Sequence, residues 1–174
     1  MCTSLLIQNE PPPEPKVQSG DEMATWQTQT AVQATPEQII DMLTDPKAVA
    51  TWSPIDFEVE HIDGDRLVTG GRARVTGRLA GREVAFDIDV ICADPQRLLL
   101  TATGPIEIDV KYDVEPLDTH VELRAWVTVR SRGGIFGRIL SGATEGLLGA
   151  GMLNAAVSRI AREVESLQQL PLAA

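Results

Sequence analysis

The chain is short of the side chains that usually carry catalysis and metal binding. Its 174 residues include two histidines, two cysteines, three tryptophans, three phenylalanines and a single tyrosine. A zinc centre needs three or four converging Cys, His or carboxylate ligands. With His61, His120 and Cys92 the only nitrogen and sulfur ligands outside the first residues, no metal and no cofactor is expected. Two cysteines, Cys2 and Cys92, give no disulfide framework, so a reduced cytoplasmic setting is the expectation. Positive charge is scarce as well: 15 Lys and Arg face 25 Asp and Glu, for a formal charge of -10. That balance opposes binding to a phosphate backbone, and nucleic acid is not an expected partner.

Long apolar runs are missing. The uncharged stretch over 146–158 falls well short of the roughly 20 residues needed to cross a bilayer, so no transmembrane segment is predicted. Residues 1–7 hold no basic residue and give way to Pro11, Pro12, Pro13 and Pro15, where an export signal would need its core and cleavage site. Residues 1–21 therefore read as a disordered, proline-rich leader, 22–170 as one domain, and 171–174 as a tail.

What is present is alternation. Phe57, Val59 and His61 alternate with Glu58 and Glu60. Val84, Phe86, Ile88, Val90 and Cys92 alternate with Glu83, Asp87 and Asp89, and Ile106, Ile108, Val110, Tyr112 and Val114 with Glu107, Asp109, Lys111 and Asp113. A period of two with one wet face predicts antiparallel strands. With Leu98–Thr103, Val121–Arg130, a strand from Met23 and another after Gly71, seven strands are expected. If Ala80-Gly81 is a two-residue loop, Arg72, Arg74 and Arg78 fall opposite Asp89, Asp87 and Glu83, while Val75 meets Phe86 and Ala73 meets Ile88. Two short helices interrupt the first and second strands, one capped by Thr35 before Pro36, the other by Asp45 before Pro46.

The last third predicts one long helix with a buried stripe at Ile139, Ala143, Leu147, Ala150, Leu153, Val157, Ile160, Val164 and Leu167. Its front carries Gly137, Gly142, Gly146, Gly149 and Gly151, each costing roughly 1 kcal/mol relative to alanine. Close backbone packing or a mobile gate over a cavity are the two readings of that composition. The order β-α-α-β-β-β-β-β-β-α predicts an α+β fold whose sheet buries its apolar face on the long helix.

Chemistry-bearing groups are few. His61 shares phase with Phe57 and Val59 but stands beside the Asp63-Gly64-Asp65 turn, where it reads as a solvated rim residue. Ser53 has no histidine or acid at a recognisable spacing, and Gly70-Gly71 and Gly133-Gly134 lack the lysine and hydroxyl of a phosphate loop. Tyr112 is the polar group on the cavity-facing phase, available to a ligand carbonyl or to a structural hydrogen bond. Trp126 falls out of phase with Val127 and is expected on the convex face as a partner or dimer patch.

The segments Ala34-Thr35-Pro36-Glu37, Asp45-Pro46, Trp52-Ser53-Pro54, Asp94-Pro95-Gln96-Arg97 and Thr119-His120-Val121, followed by a closing amphipathic helix, resemble the START-like (SRPBCC) superfamily over residues 23–168. That superfamily includes polyketide cyclases, plant pathogenesis-related proteins and lipid-transfer domains. The resemblance implies a helix-grip fold, a curved antiparallel sheet of about seven strands wrapped around a C-terminal helix with an apolar cavity between them. It implies a hydrophobic ligand that is lipid-, polyketide- or quinone-like. From the strand phases, the expected wall is Phe57 and Val59, Val75, then Phe86, Ile88 and Val90, then Ile108, Val110 and Tyr112, then Leu123 and Ala125. Leu148 and Met152 join it from the helix, with Trp52 at the edge.

An inward face almost free of ionisable groups favours a non-enzymatic carrier or sensor, with no catalytic residue assigned. The alternatives are a cyclase, dehydratase or aromatase in which Tyr112 or His61 moves a proton, and a protein-interaction domain using the acidic convex sheet or Trp126.

Overall fold

Local capping starts each of the first two helices where the sequence places them. In the computed structural model, which describes residues 23–169, β1 (Met23–Val32) leads to α1 (Pro36–Thr44) and α2 (Pro46–Trp52). The expected leader, Cys2 and the tail lie outside the described residues. Thr35 accepts the amide hydrogen of Gln38 while the Gln38 side chain accepts that of Thr35, a reciprocal box that satisfies two helix-end donors. Asp45 accepts from the amide of Lys47 at 2.9 Å and starts α2 in the same way.

Six further strands follow: β2 (Phe57–Ile62), β3 (Arg72–Leu79), β4 (Arg82–Asp94), β5 (Arg97–Thr103), β6 (Ile106–Pro116) and β7 (Val121–Ser131). They join β1 in one antiparallel sheet of order β1-β7-β6-β5-β4-β3-β2. Two helices close the chain, α3 (Gly134–Gly149) and α4 (Met152–Gln169). The architecture is the α+β helix-grip fold expected from the sequence.

The β3–β4 register follows charge and packing together. Arg72, Arg74 and Arg78 pair with Asp89, Asp87 and Glu83, and Val75 and Ala73 with Phe86 and Ile88. Ala80 and Gly81 form the two-residue turn, with φ of 53° and 74°, the left-handed pair that matches strand twist in a tight hairpin. Arg74 bridges two carboxylates, Asp87 at 2.6 Å and Glu60 at 3.0 Å. Both hold its guanidinium more firmly protonated, Asp87 more strongly. Replacing Arg74 by glutamate is expected to destabilise the protein slightly, and Asp87→Lys in the same chain to recover much of the loss. Urea unfolding of the two single variants and the double variant checks this; additive losses would contradict the pairing.

Two β-bulges reset the alternation. One falls between Val59 and His61, the other between Val90 and Cys92. An extra residue on one strand turns everything beyond it to the opposite face. His61 consequently pairs with Arg74 on the convex side, its side chain 66% exposed and its Nε2 3.1 Å from Asp63. That imidazole, and the amide of Arg72, hold the Asp63 carboxyl below the usual carboxylate range. Cys92 pairs with Leu99, which in turn pairs with Lys111, so this cysteine lies on the convex side of the sheet and not in phase with Val90.

The closing helical region departs from the expected single stripe. Gly151, at φ +93°, breaks it into two helices, and the buried phase differs on either side. In α4 the expected face holds: Leu153, Val157, Ile160 and Val164 are buried. In α3 it moves by one residue, to Leu140, Thr144 and Leu148, while Ile139 and Leu147 are exposed. At the far end of α4, Leu167 is exposed as well. Of the helix glycines, Gly137 alone sits close to another backbone, 3.3 Å from the carbonyl oxygen of Pro105 to its would-be Cβ. Gly142, Gly146, Gly149 and Gly151 face open space. Close packing therefore accounts for one of the five.

The packed core and the free space divide the concave face between them. Helix α4 lies against β1 and β7, joined by α1 and α2, while α3 reaches from β7 and β6 to β3. Under α4 and α1 the interior is filled by fully buried side chains such as Ile39, Leu43, Leu123, Val129, Val157 and Ile160. The half of the sheet toward β2 is left with less above it, and there the cavity opens.

Candidate functional site

The cavity has two adjoining lobes of about 210 and 300 Å³. They share Phe57, Val75, Ile88 and Leu100. The first lobe is bounded by Pro46 and Val49 of α2 and by Val59, Ile62, Leu67 and Ala73. The second runs beneath α3, over Gly77, Leu79, Val84, Phe86, Ala102, Ile108 and Val110, with Ser53, Ile55, Arg78 and Thr144 completing it. Alternation explains the composition, because each strand turns one apolar row to the concave face while its charges form ion pairs on the other.

The few polar groups on the wall are already engaged. Thr144 Oγ1 donates to the carbonyl of Leu140 at 2.8 Å, and Ser53 Oγ to that of Ile55 at 2.8 Å. Both hydroxyls spend their protons on backbone, and Ser53 Oγ also accepts the amide of Ile55 at 3.3 Å, which leaves the lone pairs of Thr144 as the main polar feature a ligand meets. Arg78 is the charged residue among the lining groups, and it is exposed, a rim position.

Of the residues expected from the sequence, Phe57, Val59, Val75, Phe86, Ile88, Ile108 and Val110 come together on this wall. Trp52, Val90, Tyr112, Leu123, Ala125 and Leu148 are buried in the packed core instead, with Met152 packed against it. The reason is where α4 lies. It covers the β7 side, and α1 and α2 cover the far end of the strands, so inward-pointing residues there meet side chains and not space. Trp52 and Tyr112 form an edge-to-face pair at 6.5 Å, and the Trp52 Nε1 donates to the carbonyl of Met42 at 3.2 Å. Burial pushes the Tyr112 phenol pKa upward, which keeps it neutral. Trp126 lies on the convex face as expected, but it is no bare patch: Lys111 Nζ sits 4.5 Å over its ring and its Nε1 donates to Gln27 at 3.0 Å.

Sequence reasoning overlooked Leu100 and Ala102, because the run Leu98-Leu99-Leu100 hides the alternation of β5. The signal was in the pairing, since β4 sets Val90 against Leu100 and Ile88 against Ala102. Thr144 was overlooked because the buried phase of α3 differs from the expected stripe.

No sequence match was found among functionally curated proteins. Among solved structures, the chain is similar to a norcoclaurine synthase point mutant of Thalictrum flavum in complex with a transition-state analogue. The identity is 17%, the TM-score 0.62, and the match covers 87% of this chain and 100% of that one. It is similar to protein CV1439 of Chromobacterium violaceum at 18% identity and a TM-score of 0.58, over 81% of this chain and 96% of the other. DynU16, a putative protein in the dynemicin biosynthetic locus, matches at 24% identity and a TM-score of 0.55, over 81% of this chain and 47% of its own. At such identities the likeness speaks for the fold alone. The sequence itself matches a family model over residues 23–165, and this chain belongs to the polyketide cyclase / dehydrase and lipid transport family of the START-like superfamily.

Proposed function

We propose that this chain is a carrier or sensor that encloses an apolar or amphipathic small molecule, lipid-, polyketide- or quinone-like, in the two-lobed cavity. The observation that carries the reading is the wall itself. Both lobes are lined by aliphatic and aromatic side chains with a single charged residue at the rim, the composition that rewards burying an apolar ligand. Family membership supports a ligand-binding or cyclase-type role. Between these, the placement of the titratable groups favours binding. His61 is on the convex face, Tyr112 is buried against Trp52, and no histidine or carboxylate is among the lining residues. A cavity so built encloses and orients a reactive chain but offers no acid-base pair to move its protons.

Native mass spectrometry of the protein purified from its own host tests the reading. A retained apolar compound, released on denaturation, is the expected result, and its mass names the ligand class. Protein that carries nothing and also takes up no apolar fluorescent probe would overturn it.

A further inference from the structure

We propose that the solvent face of α3 docks on an anionic lipid surface. The inference stands whether or not the cavity holds a ligand, because it rests on the opposite face of the helix.

The first observation is apolar exposure concentrated on one element. Ile135 is 81% exposed, Ile139 58%, Leu147 42% and Phe136 40%. Single exposed apolar residues, such as Leu147 farther along, are ordinary on a protein surface, but Ile135, Phe136 and Ile139 stand together at the start of one helix, the mark of an interaction site. Arg138 and Glu145 are the charged residues of the helix. Where Ile139 would next be followed on the outward face stand Gly142, Gly146 and Gly149, with open space around them. The face is thus apolar at its front and bare backbone behind.

The second observation is the charge around that front. Arg132 precedes the helix and Arg138 stands on it. From the β3–β4 hairpin, Arg82 reaches over the Phe136 ring at 5.4 Å. None of these three makes an ion pair among the described residues. By contrast Arg72, Arg74, Arg97, Arg124 and Arg130 of the sheet are all ion-paired. The acids nearest in sequence are Glu83 and Glu145, and Glu107 is taken by Arg130 at 2.7 Å. On a chain of net charge -10, Arg82, Arg132 and Arg138 stand beside the most exposed of the described isoleucines, while two further arginines without an ion pair, Arg159 and Arg162, lie on α4.

Aliphatic and aromatic side chains ringed by arginine are the chemistry of an interfacial helix. The apolar groups enter the acyl boundary and the guanidinium groups meet anionic headgroups. A second copy of the chain suits the patch poorly, because a two-fold interface would set these arginines against their own equivalents.

The test is flotation of the full chain with vesicles of phosphatidylcholine alone and of an equal mixture with phosphatidylglycerol, at low and high salt. Binding to the mixed vesicles, weakened by salt, is expected. Ile135→Asp with Ile139→Asp should reduce it by more than about tenfold. Arg132→Glu with Arg138→Glu should reduce it by about fivefold or more per arginine, and Leu167→Asp, at an exposed site on α4, should leave it unchanged. Circular dichroism and melting verify that each variant is folded; should the isoleucine pair melt early, Ile139→Asp alone carries the comparison. The proposal is overturned by absence of binding to mixed vesicles, or by an equal loss in the Leu167 variant. Self-association in sedimentation that the isoleucine variants abolish, without any vesicle binding, would overturn it in favour of a second copy.

Discussion

Leu140→Ala is expected to destabilise the protein by about 2 to 5 kcal/mol, while Ile139→Ala, one residue away, should change stability by less than about 0.5 kcal/mol. Leu140 is fully buried, whereas Ile139 is 58% exposed. Truncating the first removes a side chain from a packed interior that relaxes only partly, so both transfer free energy and a cavity are lost. Truncating the second removes methyl groups already in contact with water. Taken alone, the apolar stripe along the sequence predicts the reverse order. Urea unfolding midpoints of the two variants decide between them, and equal losses would show that the helix is not phased as described.

Ile88→Trp is expected to lower uptake of an apolar fluorescent probe by at least about tenfold, or about 1.4 kcal/mol. Ile88 lies on the wall shared by both lobes, so an indole there fills the passage between them and not merely one end. Ile91→Trp is the matched control. It sits on the same strand at the bulge, 54% exposed, and should leave uptake unaltered. A folded Ile88 variant that still takes up probe as the parent does would argue against a ligand held centrally, while leaving the outer lobe by α2 as a separate site to be blocked at Val49.

How much of this was legible without a structure differs from element to element. The β3–β4 pairing was fully legible, because the opposed charges and apolar residues on either side of Ala80-Gly81 agree on one register. The helix starts at Pro36 and Pro46 were legible for the same kind of reason: caps are made between residues two or three apart, within reach of local sequence. Cys92 was misplaced, and His61, though read as a solvated rim residue, was put in the apolar phase of its strand, because alternation counts residues and a bulge consumes one. Nothing local to Glu60 or Ile91 marks it as the extra residue; the pairing with β3 and β5 does.

The sequence by itself determined the α+β class, the number and order of the strands, the caps and the tight turn, and the placing of charge on one face and apolar groups on the other. All of these follow from interactions between near neighbours or from periodicity along a single element. Only the tertiary structure decided which half of the concave face stays open, because that depends on where α4 comes to rest over β1 and β7. It also decided that the buried phase of α3 runs through Leu140, Thr144 and Leu148, leaving Ile135 and Ile139 outside. An amphipathic pattern with apolar residues on both sides fits either rotation about the helix axis. The break at Gly151 and the packing of α3 across β7, β6 and β3 select one.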